Sequence, residues 1–191
     1  MDTSRCDWCG SLPIYVNYHD QEWGVPEYDS RALWEKLVLD GFQAGLSWLT
    51  ILKKRDAFRA AFAGFDPEKV AAFDESDVQR LLGDAGIIRH RGKIEAAITG
   101  AQAWLALEEG EGFDAFMWKY VDGTPLVNRF ETQADVPPSS DLSARISKGL
   151  KKAGFKFCGP TIVYAWMEAT GLINDHLVTC HRHEEVKKLA R

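Results

Sequence analysis

Cys6, His19, His176 and Cys180 are residue types that bind soft divalent metals, and they sit as two pairs at opposite ends of the chain. His176-x-x-x-Cys180 is a spacing from which two donors can face one ion on a turn or helix, and Cys6 with His19 can supply the other two. Two cysteines and two histidines make a closed, tetrahedral and therefore structural set. It would clip the N-terminus to the C-terminus, and closing so long a loop restricts the unfolded chain by roughly a few kcal/mol. Spacing alone leaves alternatives open. Cys9, His181 and His183 are competing donors, Cys6-x-x-Cys9 can form half of a ribbon-type site, and isolated His and Cys residues are most often just packed or solvated.

A second concentration of chemistry runs from Tyr18 to Trp48, YHDQEWGVPEYDSRALWEKLVLDGFQAGLSW. Aromatic rings with polar handles, acids and a histidine crowd its start; a helical stretch follows, then a Gln-Ala-Gly-Leu-Ser-Trp turn. A core helix does not require this mixture, whereas a pocket for a flat, polar, cationic ring does, because electron-rich aromatic faces attract cations.

Basic residues cluster in Lys53-Lys54-Arg55, in Arg89-x-Arg91-x-Lys93 and in Lys148 to Lys156. The last group, with Lys151 and Lys152, leads into Gly154-Phe155-Lys156-Phe157-Cys158-Gly159-Pro160-Thr161, which reads as helix, glycine turn, helix. Backbone N–H groups at such a turn can hold a DNA phosphate without reading bases. A helix-ending glycine beside a solvated charged face explains the same residues, and on spacing alone it is the favoured reading.

The elements that must position these groups are helical. Asp29 and Ser30 cap a helix through Leu33, Trp34 and Leu37; helix with a charged break at 53–56 runs from Leu46 to Phe62; Asp66-Pro67 starts another. A short helix is expected from Ser76 to Leu82, a turn from Gly83 to Gly92, and helices over about 93–108 and 113–120. The stretch 125–138 reads as a surface connection. Ser140 caps a helix through Ile146 and Leu150, and Pro160 starts one running to Thr170. Residues 1–28 read as irregular, and the tail after His176 is highly polar. With no sustained strand alternation, the fold class is all-α.

The 191 residues, 46% of them hydrophobic, are enough for one domain with a substantial core. A net charge of −5 argues against coating nucleic acid by bulk charge, though not against a local basic patch. Four cysteines are too few for a disulfide scaffold of this size. No apolar run approaches the ~20 residues of a membrane span, and the first ten residues lack a signal-peptide pattern, so a cytoplasmic location is expected.

Several stretches together carry a resemblance. They are Arg5-Cys6-x-Trp8, Tyr18-His19-Asp20-x-Glu22-Trp23-Gly24-Val25-Pro26, Gln43-Ala44-Gly45-Leu46-Ser47-Trp48, Ala85 to Ile94, Gly154-Phe155-Lys156-Phe157 with Gly159, and Gly171-Leu172-Ile173-Asn174-Asp175-His176. In this order, over nearly the whole chain, the sequence resembles the Tag family of bacterial 3-methyladenine DNA glycosylases. The resemblance implies a helix-hairpin-helix glycosylase fold of two helical lobes in a single domain, 1–191. It implies a structural Zn2+ on Cys6, His19, His176 and Cys180 joining the termini, with Cys9 a bystander. It also implies a monomer acting on double-stranded DNA containing 3-methyladenine, with no membrane role. The base pocket would use Trp8, Tyr18, Asp40 and Trp48, with Asp40 the catalytic position and Trp23 as plausibly a scaffold residue. The DNA-binding turn would use Phe155, Lys156, Phe157 and Gly159, flanked by Lys151 and Lys152.

Two positions qualify the match. Related hairpin glycosylases carry a catalytic Asp in a Val-Asp-x-His sequence, where this chain has Asn174, and lyase members carry a lysine about where Thr161 falls. No Schiff-base nucleophile is expected, and Asp175 reads as a partner orienting His176. The acid before Gly-x-Gln-Ala-Gly-Leu-Ser-Trp is usually Glu in the family and is Asp40 here, about one methylene shorter.

Overall fold

A computed structural model describes residues 4–191. Among these, helices dominate: α1 (Pro13–Gln21), α2 (Ser30–Gln43), α3 (Trp48–Leu52), α4 (Arg55–Ala61), α5 (Pro67–Ala71), α6 (Glu75–Gly83), α7 (Arg91–Glu108), α8 (Phe113–Trp118), α9 (Asp141–Lys152), α10 (Pro160–Ala169) and α11 (Arg182–Lys187). Strands β1 (Leu126–Val127) and β2 (Ile173–Asn174) form one short parallel pair with Leu126 opposite Ile173.

Helix α2 is the central element. Its start is fixed by Asp29, whose carboxylate accepts the Ala32 N–H at 2.8 Å. It packs against α3, α7, α8 and α10. Leu33 and Leu37 recur one turn apart on its buried face, and Asp40 continues the same stripe, so a carboxylate occupies a position where the helix period calls for a hydrophobe. Trp34 is fully buried, and the Trp166 indole of α10 donates to the Leu33 carbonyl at 3.0 Å, tying α10 to α2. The expected caps at Ser140, Asp66 and Asp29 are all present.

A segment expected to be irregular and the polar tail each contain a helix. Pro13 supplies a first-turn proline for α1, but the helix has no apolar stripe: Ile14 is exposed, and Tyr18 and His19 are what it buries. Helix α11 lies in the polar tail and buries only His183 and Val186. In neither case does hydrophobic periodicity mark the helix. The 125–138 connection also contains β1, which pairs with the chain leading to His176.

The turn between α9 and α10 ends α9 with a Schellman motif: the Phe155 N–H donates to the Leu150 carbonyl and the Gly154 N–H to the Lys151 carbonyl. The residue after the glycine in this motif commonly turns inward, and Phe155 does so. It is buried, with its ring 5.3 Å from that of Phe113.

Gly171 closes the molecule between α10 and β2. Its φ is +70°, and an added Cβ would lie 2.5 Å from the Pro26 nitrogen and 2.6 Å from the Val25 carbonyl carbon. Both obstacles are backbone and cannot rotate away. Gly171→Ala should therefore destabilise by roughly 2–4 kcal/mol. Gly123→Ala, at φ +74° with open space around it, should lose only about 1 kcal/mol from the left-handed conformation itself. Urea unfolding midpoints of the two variants check this ordering.

Candidate functional site

The two ends of the chain meet at a cluster of four buried donors. Cys6, His19, His176 and Cys180 place their ligand atoms all within 4.8 Å of one another. Cys6 precedes a single 3-10 turn (Asp7–Cys9), His19 comes from the last turn of α1, and the other pair follows β2. Cys180 Sγ lies 3.5 Å from both His19 Nε2 and His176 Nδ1, and Cys6 Sγ lies 3.7 Å from His176 Nδ1. A tetrahedral ion with sulfur at ~2.3 Å and nitrogen at ~2.05 Å needs a sulfur–nitrogen edge of about 3.6 Å. The donor geometry thus fits a metal ion.

The surrounding bonds aim the imidazoles. His176 Nε2 donates to the Trp23 carbonyl at 3.0 Å, and His19 Nδ1 to Asp20 at 2.8 Å, leaving Nδ1 and Nε2 respectively for the centre. Arg5 in turn clamps Asp20 through two donors and holds its pKa down at about 2. The Leu177 N–H reaches Cys6 Sγ at 3.5 Å. The hydrogen bond with Cys6, followed by those with His176 and His19, lowers the pKa of Cys180, whereas sharing with Cys180 and burial raise that of Cys6. Two adjacent thiolates need a cation between them, as a metal would supply. Gly24 is required beside the cluster, since a Cβ there would meet His176 Nε2 at 2.8 Å.

Cys9 points elsewhere, with its thiol on the Cys6 carbonyl, and His181 Nδ1 bonds to the Ser4 carbonyl. The expected orienting role of Asp175 is not what the structure shows. Asp175 accepts from Asn128 at 2.6 Å and from the Tyr164 hydroxyl at 2.7 Å, while the Trp23 carbonyl takes the outer nitrogen of His176. Asn174 is occupied at both ends, donating to the His183 carbonyl and accepting from the His176 N–H.

Beside the cluster is a cavity of about 190 Å³ lined by Trp8, Tyr18, Asp40 and Trp48, the four residues expected to share a pocket. Trp23 and Glu168 also line it. The Tyr18 and Trp48 rings are 5.4 Å apart, and Trp8 stands 5.0 Å from Trp23 in an edge-on arrangement. Trp23 serves both structures, through its carbonyl on His176 and its ring on the cavity wall. Asp40 is buried; its Oδ1 meets the Lys36 ammonium at 2.5 Å, while Oδ2 has no protein partner. The indole nitrogens of Trp8 and Trp48 are likewise buried without partners. Such orphaned donors and acceptors around an aromatic cavity suit a ligand with complementary edges. Burial raises the Asp40 pKa against the opposing pull of Lys36, and burial followed by the Asp175 charge raises that of Glu168 well above the usual range.

Lys36 and Glu168 were missed in the sequence reading. Lys36 carries a usable signal, since it stands one turn before Asp40 on α2; Glu168 lies in an otherwise apolar helix.

Of the residues expected on the DNA-binding turn, Lys151, Lys152, Lys156 and Phe157 are exposed, and Gly159 caps α10. Phe157 holds a positive φ of +52°. Phe155 must be reassigned: the Schellman turn buries it, so it anchors the turn from inside. The other basic clusters are largely spent on structure. Lys54 and Lys93 donate to backbone carbonyls, and Arg91 pairs with Glu75 and Glu95. Thr161 is exposed on the first turn of α10.

The methyladenine glycosylase family model matches residues 8–183. The chain belongs to this family. It is 55% identical over 177 residues to DNA-3-methyladenine glycosylase 1 of Escherichia coli (strain K12), covering 92% of this chain and 95% of that protein. A crystal structure of 3-methyladenine DNA glycosylase I superposes with a TM-score of 0.93 at 52% identity, covering 94% of this chain and 100% of the other. The Staphylococcus aureus enzyme, whose structure addresses 3-methyladenine recognition, gives a TM-score of 0.90 at 43% identity over 94% of this chain and 96% of its own.

If the four donors hold one ion, Cys180→Ser should reduce bound divalent metal well below one per chain and lower the unfolding temperature. Cys9→Ser should retain the full complement. Elemental analysis of the purified variants distinguishes the two.

Proposed function

We propose that this protein is a DNA-3-methyladenine glycosylase that hydrolyses the N-glycosidic bond of 3-methyladenine in alkylated DNA, within base excision repair. The observation that carries this reading is the aromatic cavity with the partnerless oxygen of Asp40 buried in its wall.

A base alkylated at N3 is cationic in DNA, and its bond to the sugar is already weak. The leaving group therefore needs no proton. The task of the enzyme is to extract the base and to bind the cationic base selectively over neutral adenine. Trp8, Trp48 and Tyr18 offer aromatic faces, each worth roughly 0.5–2 kcal/mol to a cation. The free oxygen of Asp40 accepts from the exocyclic amine and offsets the positive charge. As the bond breaks, its electron pair passes to the base and cancels that charge. The sugar is left with oxocarbenium character, and water adds to it with loss of a proton. Asn174 is already engaged at both ends and Thr161 cannot form a Schiff base, which supports a monofunctional hydrolase.

The metal is proposed to be zinc and structural, because four protein donors leave no open position. The pair α9 and α10 with its turn is read as the helix-hairpin-helix. Lys151, Lys152 and Lys156 would face phosphates and the α10 N-terminus would contribute N–H groups. A single domain of two helical lobes, working as a monomer on double-stranded DNA in the cytoplasm, completes the reading. No helix among the described residues is long and apolar enough to cross a membrane.

Chromatography of bases released from methylated DNA tests the activity. 3-Methyladenine should appear well above the spontaneous rate, and its absence with DNA binding intact would leave a non-catalytic DNA-binding module. Asp40→Asn should weaken binding of free 3-methyladenine about tenfold or more; unchanged affinity in calorimetry would remove Asp40 from the base site. Lys151→Glu combined with Lys152→Glu should weaken DNA binding and flatten its salt dependence by about two phosphate contacts. Unaltered affinity would place α9 off the DNA path.

A further inference from the structure

We propose that Lys36 sets the specificity of the base pocket: its ammonium occupies the place of a cationic base on Asp40 and Trp48, and is displaced into an adjoining acidic cavity when a base binds. The inference rests on the base-pocket reading above.

The geometry is that of an internal ligand. Lys36 Nζ lies 2.5 Å from Asp40 Oδ1 and 3.9 Å from the centre of the Trp48 ring. One carboxylate and one aromatic face are what a cationic ring would use, so Lys36 and the substrate compete for the same two groups. Lys36 and Asp40 are also one helical turn apart on α2, which places both side chains on the same face of the helix. Its side chain is only 16% exposed. Burial lowers the Lys36 pKa, and the Asp40 charge and hydrogen bond oppose this.

The competition discriminates by charge. A neutral ring that displaces Lys36 strips a buried carboxylate of its partner and returns no charge. A cationic ring exchanges charge for charge. The resident ammonium thus raises the threshold for every ligand, and only a cation meets it, which keeps ordinary adenine out of a pocket whose aromatic walls would otherwise accept it.

The structure also provides somewhere for the ammonium to go. Lys36 lines a second cavity of about 260 Å³ that shares Tyr18 and Trp48 with the first. Apart from Lys36, this cavity is lined by three carboxylates, Glu22, Glu27 and Glu35, against two guanidiniums, Arg55 and Arg59. Arg55 pairs with Glu22 and Arg59 with Glu35, while Glu27 accepts the Tyr28 and Asp29 N–H groups and has a negative charge with no cationic partner among the described residues. Turning the flexible Lys36 stem into this cavity balances it.

Lysine-selective NMR with 3,9-dimethyladeninium, which keeps the positive charge that the alkylated base carries in DNA, tests the displacement. Lys36 is assigned from the resonance missing in Lys36→Gln. In the free protein its Cε protons should be shifted upfield by the Trp48 ring, and at saturation they should move to the ordinary lysine position. Lys36→Met and Lys36→Gln should each bind free adenine about tenfold more tightly than the unaltered chain in calorimetry. If the cation binds while the Lys36 resonance stays in place, the inference falls and the base pocket stands. Weaker adenine binding by both uncharged variants also overturns it, because Lys36 would then be a direct contact. No binding of this cation at all removes the base-pocket reading and this inference together.

Discussion

The meeting of four buried donors from the two ends of the chain is the constraint on which the pocket depends. Cys6 is two residues before Trp8, and His19 directly follows Tyr18. Fixing the donors therefore fixes two of the pocket walls, on segments that have little apolar surface to hold them by themselves. Helix α1 buries Tyr18 and His19 rather than an aliphatic stripe. The 3-10 turn bearing Trp8 is too short to be stable alone. The outer nitrogen of His176 bonds to the carbonyl of Trp23, so a third aromatic residue of the cavity is set by the same cluster. A metal in this place would take no part in bond cleavage and would still decide whether the pocket exists.

The opposite side of the pocket is held by hydrophobic packing. Asp40 and Trp48 belong to α2 and α3, whose burial against α7, α8 and α10 needs no metal. Asp40 sits in the apolar stripe of α2, where an aliphatic residue would pack without penalty, and a half-satisfied carboxylate in such a place is unfavourable for folding. A site that holds an acid at this position spends stability on something other than the core. In the free protein one oxygen of this carboxylate is held by Lys36 and the other has no partner, so the acid is only half satisfied until a ligand arrives.

Much of this was legible in the residues because chemistry restricts residue type. Cys and His at the chain ends, tryptophans beside acids, and a glycine turn after a lysine-rich helix narrowed the chemistry, and the family resemblance then selected among the competing donors and between a helix end and a DNA-binding turn. The helix caps at Asp29, Asp66 and Ser140 were readable because a capping side chain is a local interaction. Helices α1 and α11 were not, since hydrophobic periodicity marks only helices that bury one apolar face. Phe155 was misplaced because an exposed and a buried phenylalanine look alike until the Schellman geometry turns one inward and leaves Phe157 outside. The bonding of Asp175 to Asn128 and Tyr164 depends on the β1–β2 pairing, a long-range contact made by two-residue strands that leave no pattern.

Charge bookkeeping around the bond cleavage connects the pocket to turnover. The base enters as a cation and leaves neutral, because the glycosidic electron pair moves onto it. On the proposed function, the attraction of Asp40 and the aromatic walls is thus greatest for the substrate and lost with the product. Binding that weakens as the charge disappears cannot by itself lower the barrier, so the extra stabilisation must reach the oxocarbenium sugar as well. Asp40 is a buried anion bordering the cavity, and in a low-dielectric wall its field extends beyond the base edge to the reacting bond. Once the base is neutral, the carboxylate is left with no cation, and Lys36 is the charge nearest to restore the balance. On this reading, return of the ammonium to Asp40 expels the product, so one lysine both rejects the neutral base before reaction and releases it afterwards.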